Sequence, residues 1–499
     1  MERILMPEDM AATDKAMTWM LGIESRVLIE RAALSMLEVI EDKDSKIDCF
    51  KPLILCGIGN NGADGLCLAR LLLERGIRAE LYICAGLEKA SEGFKLQYGI
   101  LEKLGFEFLS KLPEENEYYS LIVDAIFGIS LNRLVEGEYR RAVEFINGCR
   151  DRYNGKCRVL SVDMPSGISS STGAVLGCGV QADMTVTFGY KKTGALLYPG
   201  TLYCGRLIYK KSGFFDEALK YKTNIKIYEE EEIRLPKRPE YSNKGTFGKL
   251  LFIAGSPQMC GAALLGSLSA MRLGLGMLKV VTAIENREAF LKVLPEAMLE
   301  CYAGDLIPEE GLKQALSWCD CVAVGPGISQ SETARRLTEF AIRQNYVPVI
   351  LDADALNIIS ENPEILLECS QGVVITPHVG EMSRLTGIGV AKIQEHLIET
   401  AADFAKAYEA VVVLKDARSI IASPYGEIII NTNGNSGMAT AGTGDVLTGM
   451  IGALVAGGME PVKAASLACA LHGRAGDEAA LALSEPELLA RDIVKYMGE

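Results

Sequence analysis

A segment near the C-terminus combines closely spaced small residues with one carboxylate. Residues 433–445 read NGNSGMATAGTGD and precede the apolar stretch VLTGMIGALVAGG. Consecutive small residues expose backbone N–H groups, and the dipole at a helix start favours an anion there. Asp445, in the first turn of the predicted helix, can accept the proton of a hydroxyl that attacks a phosphoryl group held at this corner. An Asp445 that only caps the helix is the alternative, but it leaves the glycine density unexplained.

Oxygen-bearing side chains occur at the ends of several predicted strands in the N-terminal half. The only chemistry that Asn61, Asp124 and Ser166 share is a side-chain oxygen atom that can bind a metal ion. Oxygen ligands favour a hard cation over zinc or copper. One carboxylate with neutral donors matches a monovalent charge, so potassium is preferred to magnesium. Asp163, at another strand end, then remains available as an acid or base.

The spacing Gly57-x-Gly59-x-x-Gly62, after a predicted strand, is that of a dinucleotide-binding fingerprint. The fingerprint needs an acidic residue at the end of the second strand to bind the ribose, whereas this strand ends in YICAG. An ordinary NAD dehydrogenase is therefore disfavoured. The polar loop NNGADG suits phosphates or a cation instead. Turn-forming asparagines, with Asp64 as a helix cap, are the alternative.

Strand and helix patterns alternate around these residues. PLILC, NNGADGLCLARLLLERG and AELYICAG predict a strand, a helix and a strand, a βαβ unit that implies a parallel sheet. Further strands are predicted in SLIVDAIFG, CRVLSVDMPSG and DMTVTFG. Ligands bind at the carboxyl ends of strands in open parallel sheets, so these corners are expected on one rim.

The alternation is interrupted near residues 225–245, where EEEEIRLPKRPEYSNKG carries four consecutive acids and two prolines. We interpret this stretch as a linker, although an acidic run is more often a solvated face. A second α/β series follows in KLLFIAG, MLKVVTA, CVAVGPG, PVILDADAL, GVVITPH and AVVVLKDA. The predicted organisation is a domain over residues 1–222, a linker over 223–243 and a domain over 244–499.

Composition limits the class of protein. The 499 residues are 49% hydrophobic and 23% charged, which excludes one small disulfide-stapled module and disfavours intrinsic disorder. A net charge of −14 argues against a surface for nucleic acid or anionic membrane. Fourteen scattered cysteines indicate reduced thiols, and the longest charge-free helical stretch is too short to span a bilayer. We expect a cytoplasmic protein.

Motifs over residues 1–222 resemble the epimerase domain of the NAD(P)H-hydrate repair enzymes, a Rossmann-like three-layer α/β/α domain. They are GIGNNGADGLCLAR, VDAIFG, SVDMPSGI and VTFGYKKTG. The resemblance implies that Asp163 is catalytic and binds the substrate, and that Asn61, Asp124 and Ser166 hold a potassium ion. The other implied substrate residues are Asn60, Asn61, Gly62, Ala63, Asp64, Gly128, Ile129, Ser130, Leu131, Asn132, Arg133 and Leu134. Two departures affect loop conformation: the usual NNGGDG reads NNGADG, and the usual glycine-rich sequence after VDAIFG reads ISLNR.

Motifs over about residues 244–460 resemble the ADP- or ATP-dependent NAD(P)H-hydrate dehydratases, which have a ribokinase-like α/β fold. They are KGTFGKLLFIAGS, VAVGPGI, ILDADALN, ITPHVGE, VVLKDARS and NSGMATAGTGDVLTGM. The resemblance implies Gly327, His378 and the catalytic Asp445 for the hydrated nucleotide. It implies Lys415, Asp416, Ala417, Arg418, Ser419 and Gly444 for the adenine nucleotide. Asp416 replaces the usual glycine. Asp352 and Asp354 are either metal-linked or strand-end turn residues.

Together the resemblances imply a bifunctional isomerase and lyase that repairs nicotinamide nucleotides. Such an enzyme epimerises the R and S hydrates of NADH and NADPH (NADHX and NADPHX), and dehydrates the S form at the expense of ADP or ATP with magnesium. We expect a homo-oligomer with no nucleic-acid or membrane partner. The alternatives are a small-molecule kinase of the ribokinase superfamily with an appended domain, and a non-enzymatic N-terminal binding module.

Overall fold

The chain folds, in a computed structural model, as two compact units. The N-terminal unit comprises Arg3–Asn224, and the C-terminal unit comprises Ile225–Glu499 together with Met1–Glu2. The structure describes residues 1–114, 116–153, 155–219, 224–344 and 346–497. The predicted boundary between residues 222 and 223 lies outside the described residues.

Nineteen strands and eighteen α-helices lie in the described residues. The strands are β1 Glu2–Leu5, β2 Pro52–Cys56, β3 Glu80–Ile83, β4 Phe108–Leu109, β5 Leu121–Ala125, β6 Arg158–Val162, β7 Met184–Phe188, β8 Lys191–Lys192, β9 Arg206–Lys210, β10 Asn224–Ile227, β11 Lys249–Ile253, β12 Met277–Ala283, β13 Met298–Tyr302, β14 Cys321–Val324, β15 Val349–Leu351, β16 Val373–Ile375, β17 Val411–Leu414, β18 Ile420–Ala422 and β19 Glu427–Ile430. The helices are α1 Pro7–Leu21, α2 Ser25–Glu41, α3 Asn60–Glu74, α4 Glu92–Lys103, α5 Gly137–Arg152, α6 Thr193–Leu196, α7 Gly200–Cys204, α8 Cys260–Arg272, α9 Arg287–Val293, α10 Glu309–Trp318, α11 Glu332–Gln344, α12 Asp354–Ile359, α13 Val379–Thr386, α14 Val390–Glu395, α15 Leu397–Ala407, α16 Thr443–Ala456, α17 Pro461–Leu483 and α18 Ala490–Tyr496.

The N-terminal unit is built on a parallel sheet with the strand order β4-β3-β2-β5-β6-β7-β9. Successive side chains of a strand point to opposite faces, so β2 contributes to two cores. Ile54 and Cys56 join the core made with α2, α3 and α4, whereas Leu53 and Leu55 join the core made with α5. The predicted three-layer α/β/α domain is therefore confirmed.

The turn from β2 into α3 depends on glycine at one position. A Cβ atom on Gly62 would lie 1.8 Å from the backbone oxygen of Gly57. Only glycine permits this approach, which closes the loop tightly onto the first turn of α3.

A two-residue strand adds a further element to the N-terminal unit. β8 pairs with β1 in parallel, with Ile4 opposite Lys191 and Leu5 opposite Lys192. The chain returns there directly from the end of β7, so Lys192 is held close to the carboxyl end of that strand. The helix α1 begins immediately after β1, with Pro7 in its first turn.

The C-terminal unit contains the strand order β13-β12-β11-β14-β15-β16-β17-β18-β19-β10. Strands β13 to β17 are parallel, and β17, β18 and β19 form antiparallel pairs. One face packs against α8, α16, α17 and α18 in a single large core. The helices α10 and α11 contact β11 and β14. This arrangement confirms the predicted α/β class of the second domain.

The acidic stretch that we interpret as a linker is packed within the C-terminal unit. Ile233 is buried in the large core, and Arg474 donates a hydrogen bond to its backbone oxygen. The hydroxyls of Tyr228 and Ser466 lie 3.1 Å apart. Residues 225–233 thus contribute to the folding of this unit. Within the described residues, no helix has the length and apolarity needed to cross a membrane.

Candidate functional site

The predicted corners of the N-terminal unit lie at one edge of its sheet. The strands β2, β5, β6 and β7 are adjacent and parallel, so their carboxyl ends meet there. Asn61 follows β2, Asp124 lies near the end of β5, and Asp163 and Ser166 follow β6.

The loop residues Asn60, Asn61, Gly62, Ala63 and Asp64 form the first turn of α3. Asn61 is buried, and its Nδ2 atom has no hydrogen-bond partner among the described residues. At the departure from the family pattern, the Ala63 side chain is fully buried against α4, and a Cβ atom on Gly93 would lie 3.7 Å from the Cβ atom of Ala63.

Asp124 and Ser166 are in direct contact. The two oxygens of the buried Asp124 carboxyl accept bonds from the backbone N of Ser166 at 2.8 Å, its Oγ at 2.5 Å and Ser161 Oγ at 2.9 Å. Burial raises the pKa of Asp124. The hydrogen bonds from Ser161 and Ser166 counteract part of this rise. Among the described residues no lysine or arginine pairs with this carboxyl. All the groups that donate hydrogen bonds to it are neutral.

Asp163 is held by a buried lysine. Its Oδ1 atom accepts bonds from Lys192 Nζ, from Thr187 Oγ1 at 3.1 Å and from the backbone N of Phe188 at 3.2 Å. The Lys192 side chain is 0% exposed, while that of Asp163 is 15% exposed. The φ angle of Asp163 is 66°, a conformation that costs energy in a residue other than glycine and is typical of functional sites.

Two further carboxyls share this centre. Burial raises the pKa of Asp64 well above its ordinary value and also raises that of Asp14 on α1; the negative charge of Asp163 adds to both shifts. Sequence reasoning assigned no role to Asp14, Thr187 or Lys192. The Lys191-Lys192 pair after VTFG was a visible signal, but nothing in it distinguished the buried lysine from its neighbour.

The second predicted substrate loop is only partly brought to the site. A Cβ atom on Gly128 would lie 3.1 Å from Asn61 Oδ1, and Ile129 O accepts a bond from Ser170 Oγ at 2.9 Å. Leu131 packs in the core beside α5. The remaining four residues are exposed: Ser130, Asn132, Arg133 and Leu134.

The site of the C-terminal unit is centred on the start of α16. Gly442 precedes the helix with a φ of 92°, Gly444 lies in its first turn, and Asp445 follows. Burial, reinforced by the charge of Asp352, raises the pKa of Asp445 to about 7. A carboxyl that titrates near neutrality beside exposed backbone N–H groups is suited to proton transfer next to an anion.

A buried ion pair lies next to Asp445. Asp352, at the end of β15, is 1% exposed; its Oδ1 lies 2.9 Å from Lys415 Nζ, and its Oδ2 accepts a bond from Thr448 Oγ1 at 2.6 Å. Burial alone would raise the pKa of Asp352, but Lys415 and Thr448 outweigh it and hold this pKa below its ordinary value. A Cβ atom on Gly444 would lie 3.3 Å from Lys415 Nζ, so the pair borders the glycine loop.

His378 forms the N-cap of α13. Its Nδ1 atom accepts a bond from the backbone N of Gly380 at 2.9 Å, while Glu381 Oε2 accepts one from the backbone N of His378 at 2.8 Å. Partial burial and the charge of Lys415 lower the pKa of His378, and burial raises that of Glu381 to about 7. A neutral His378 therefore carries its proton on Nε2, which can donate to a ligand.

The other predicted residues of this unit line the same strand ends. Gly327, with a φ of 63°, follows β14, and a Cβ atom there would lie 2.9 Å from Ala262 Cβ. The predicted nucleotide residues Lys415, Asp416, Ala417, Arg418 and Ser419 connect β17 to β18. Asp416 and Ala417 are exposed, and Arg418 donates a bond to the backbone oxygen of Thr432. Asp354 begins α12 and accepts a bond from the backbone N of Ser329 at 2.8 Å.

Sequence reasoning missed one helix that shapes the glycine-rich segment. On α17, Asp477 accepts bonds from the backbone N of Gly434 and from Asn435 Nδ2, both at 2.9 Å. His472 is buried, its Nε2 has no partner among the described residues, and burial lowers its pKa to about 4. The sequence HGRAGD, with small residues inside a long helix, was the available signal.

Comparisons with known proteins found relatives that cover both units. Residues 250–498 match the family model described as NAD(P)H-hydrate dehydratase, and residues 25–194 match that described as YjeF-related protein N-terminus. The chain is 35% identical to the bifunctional NAD(P)H-hydrate repair enzyme Nnr of Moorella thermoacetica, covering 95% of this chain and 92% of that protein. It is 31% identical to the Escherichia coli enzyme of the same name, over 97% and 91%. The solved ADP/ATP-dependent NAD(P)H-hydrate dehydratase of Bacillus subtilis, crystallised with ATP and Mg²⁺, is 34% identical over 55% of this chain and 96% of that one, with a TM-score of 0.47.

Proposed function

The chain belongs to the family of bifunctional NAD(P)H-hydrate repair enzymes, with an epimerase (isomerase) and a dehydratase (lyase) activity, and we propose that the two sites described above carry these reactions. The substrates are NADH and NADPH that have taken up water across the C5–C6 double bond of the nicotinamide ring. The resulting hydroxyl on C6 exists in R and S forms. The N-terminal unit interconverts them, and the C-terminal unit removes the water from the S form.

The dehydration needs a better leaving group than hydroxide. ADP or ATP transfers its terminal phosphoryl group to the C6 hydroxyl of the S form, and Asp445 takes the hydroxyl proton. Phosphate then leaves with the electrons of the C6–O bond, a proton is lost from C5, and the C5–C6 double bond forms again. The observation that carries this proposal is the position of Asp445 in the first turn of α16, directly after the glycine-rich segment, where burial also raises its pKa to about 7.

The remaining residues of the C-terminal site bind the two ligands. Gly327 and His378 contact the hydrated nucleotide, while Gly444 and residues 415–419 contact the adenine nucleotide. Magnesium, when bound with the nucleotide, neutralises charge on the transferred phosphoryl group. Its ligands would be mainly phosphate oxygens, because the described residues contain no cluster of three His, Cys, Asp or Glu side chains that could hold a metal ion.

In the N-terminal unit Asp163 takes part in the proton transfers that epimerisation at C6 requires. The first turn of α3, with Asn60 to Asp64, and residues 128–134 bind the hydrated nucleotide. Support comes from Asp163 itself, which is partly exposed at the sheet edge in a strained backbone conformation.

Asn61, Asp124 and Ser166 would hold a potassium ion. Two observations fit such an ion: Asp124 is a buried carboxylate with only neutral donors around it, and the amide of Asn61 ends in a buried atom without a partner among the described residues. Nitrogen and oxygen of an amide are interchangeable by a flip, which would turn the oxygen of Asn61 to that position. A bound cation would compensate the Asp124 charge and fix the strand ends around the substrate.

The cellular setting is inferred from the thiols. All fourteen cysteines are thiols that form no disulfide, which supports a reducing compartment, and we propose the cytoplasm. We also propose that the chain forms a homo-oligomer, which light scattering of the purified protein measures directly.

The test separates the two activities in one protein. The purified chain is incubated with R or S hydrated NADH and with ADP or ATP, and the return of the dihydronicotinamide absorbance is followed. Wild type should restore both forms. The Asp163→Asn variant should restore only the S form, and Asp445→Asn should restore neither. A stable phosphorylated product in place of the dihydronicotinamide would instead indicate a small-molecule kinase.

A further inference from the structure

The ammonium group of Lys192 is buried in the N-terminal site with a single ionised partner. Its Nζ atom bonds Asp163 Oδ1, Thr187 Oγ1 at 3.0 Å and the backbone oxygen of Phe188 at 2.9 Å. Thr187 and Phe188 are neutral. A buried ammonium is costly unless it is paired, so Lys192 and Asp163 stabilise each other's charged forms.

Asp163 is oriented as well as paired. All three of its hydrogen-bond donors, on Thr187, Phe188 and Lys192, reach Oδ1. Among the described residues no donor reaches its Oδ2 atom. One oxygen is thus fixed, and the other remains available for a proton.

The single ammonium faces three carboxyls. Asp14 of α1 and Asp64 of α3 interact electrostatically with both Asp163 and Lys192. The thiol of Cys56 on β2 also faces Asp64, and burial keeps this thiol neutral by raising its pKa. Three carboxylates cannot all be ionised beside one cation in a poorly solvated centre, because like charges at short range repel each other. Burial therefore favours the protonated form of Asp64, whereas Asp163 is the carboxyl that contacts the ammonium of Lys192 directly.

Epimerisation at C6 requires both forms. If the C6–O bond breaks, the leaving hydroxyl takes a proton, N1 supplies its electron pair to C6, and the water that adds to the other face loses a proton. If the C6–N1 bond breaks, N1 takes the proton, and the C6 hydroxyl loses one as a carbonyl forms; ring closure on the other face reverses these steps. Each route consumes one proton and releases one. An acid and a base are needed together.

We propose that Lys192 divides these two roles: it is a positioning residue that keeps Asp163 as the carboxylate that accepts the proton and leaves Asp64 as the acid that supplies it. This inference rests on the proposed role of Asp163 in the epimerase. It assigns no contact between Lys192 and the substrate.

The test is the pH profile of epimerisation by the full-length chain. Isolated R hydrate is incubated without ADP or ATP, and its conversion to the S form is followed by chromatography. Lys192→Met should lower the rate of epimerisation by about 10²-fold or more. It should also move the acidic limb of the profile, the rise of the rate at low pH, to higher pH, because Asp163 then lacks its cationic partner. Asp64→Asn should lower the rate and remove the basic limb, while the acidic limb stays in place.

A matched pair of threonine variants keeps the test decisive if Lys192→Met does not fold. Thr187→Val removes the hydroxyl that bonds both Lys192 and Asp163, and it should shift the acidic limb in the same direction by a smaller amount. Thr185 is on the same strand and equally buried, but its hydroxyl bonds Cys204 O at 2.8 Å. Thr185→Val should leave the profile of wild type.

Two outcomes are distinguishable. An acidic limb that stays at the wild-type pH in both Lys192→Met and Thr187→Val overturns the inference, provided that Asp163→Asn is inactive. Full epimerisation by Asp163→Asn instead overturns the proposed function of Asp163, whatever the lysine variants do.

Discussion

Three acidic side chains of the C-terminal site have similar chemistry in water but different surroundings here. Asp352 is paired with Lys415 and stays ionised, whereas burial raises the pKa values of Glu381 and Asp445 to about 7. Groups whose pKa values are driven apart in one site take different roles. Asp352 is the one suited to holding Lys415 and Thr448 in place, and Asp445 is suited to exchanging a proton.

The pH dependence of dehydration tests the role of Asp445. Since the base must be a carboxylate and its pKa is about 7, the rate should rise between about pH 6 and pH 8 and then level off. Asp445→Asn should lower the rate by about 10²–10⁴-fold and abolish this rise. Kinetics with the S hydrate and ATP measure both effects. The exposed Asp403, on α15, provides the control: Asp403→Asn should behave as wild type.

The proposed potassium ion is also tested at the level of one residue. Epimerisation of the R hydrate should be faster in potassium buffer than in tetramethylammonium buffer, because only potassium can bind three protein oxygens at close range. Asp124→Asn preserves the shape of the side chain but removes its charge, so this variant should be slow in both buffers. Equal wild-type rates in the two buffers would remove the cation from the mechanism.

Two helix starts, α3 and α16, place backbone N–H groups at the two sites, and other elements hold them there. α3 is fixed by the close approach of Gly62 to Gly57. The segment before α16 is fixed by α17, where Asp477 bonds residues 434 and 435 and a Cβ atom on Gly473 would lie 2.7 Å from the backbone of Asn433. The geometry of each turn therefore depends on backbone or side-chain groups outside the helix that it begins.

A pair of glycine variants tests this dependence on the element scale. Gly62→Ala should destabilise the N-terminal unit by about 1–3 kcal/mol and slow epimerisation, because its Cβ would lie 1.8 Å from a backbone oxygen. A Cβ atom on Gly99, inside α4, would meet no neighbouring group within 4 Å. Gly99→Ala should therefore stabilise the protein by about 0.5–1 kcal/mol, as expected for a helix interior. Thermal melting and epimerase assays report both effects, and equal effects of the two substitutions would contradict this account.

At the scale of the whole molecule, each unit has its own series of parallel strands and its own buried core. Units of this kind fold as separate domains, and we propose that both activities survive separation. The stretch at residues 225–239 belongs with the C-terminal unit, since Ile233 is buried in its core.

Truncation tests this division. Fragment 225–499 should dehydrate the S hydrate as the full chain does, and fragment 1–219 should epimerise. Fragment 240–499 lacks Ile233, whose burial contributes about 1.5–3 kcal/mol, so it should melt at a lower temperature than 225–499. If the two C-terminal fragments were equally stable, residues 225–239 would be a linker in function as well as in sequence.

Local sequence determined the fold class and pointed to both candidate sites. The alternation of PLILC with a helical pattern predicted the parallel sheet, and the corners VDMPSG and AGTGD identified Asp163 and Asp445, because turns and helix starts are encoded by adjacent residues. The role of residues 128–134 comes from resemblance alone and stays a prediction, because three of these positions, 132–134, are exposed and no contact among the described residues fixes their side chains to the site.

Only the tertiary structure decided which groups pair in those sites. Lys192 reaches Asp163 across 29 residues of sequence, and Lys415 reaches Asp352 across 63. Nothing adjacent to either lysine in the chain distinguishes it from a solvated one. Pairing, burial and the resulting pKa values depend on strands that meet only when the sheets form. The sequence alone therefore pointed to the two candidate sites, and only the tertiary structure showed which of their side chains are paired and buried.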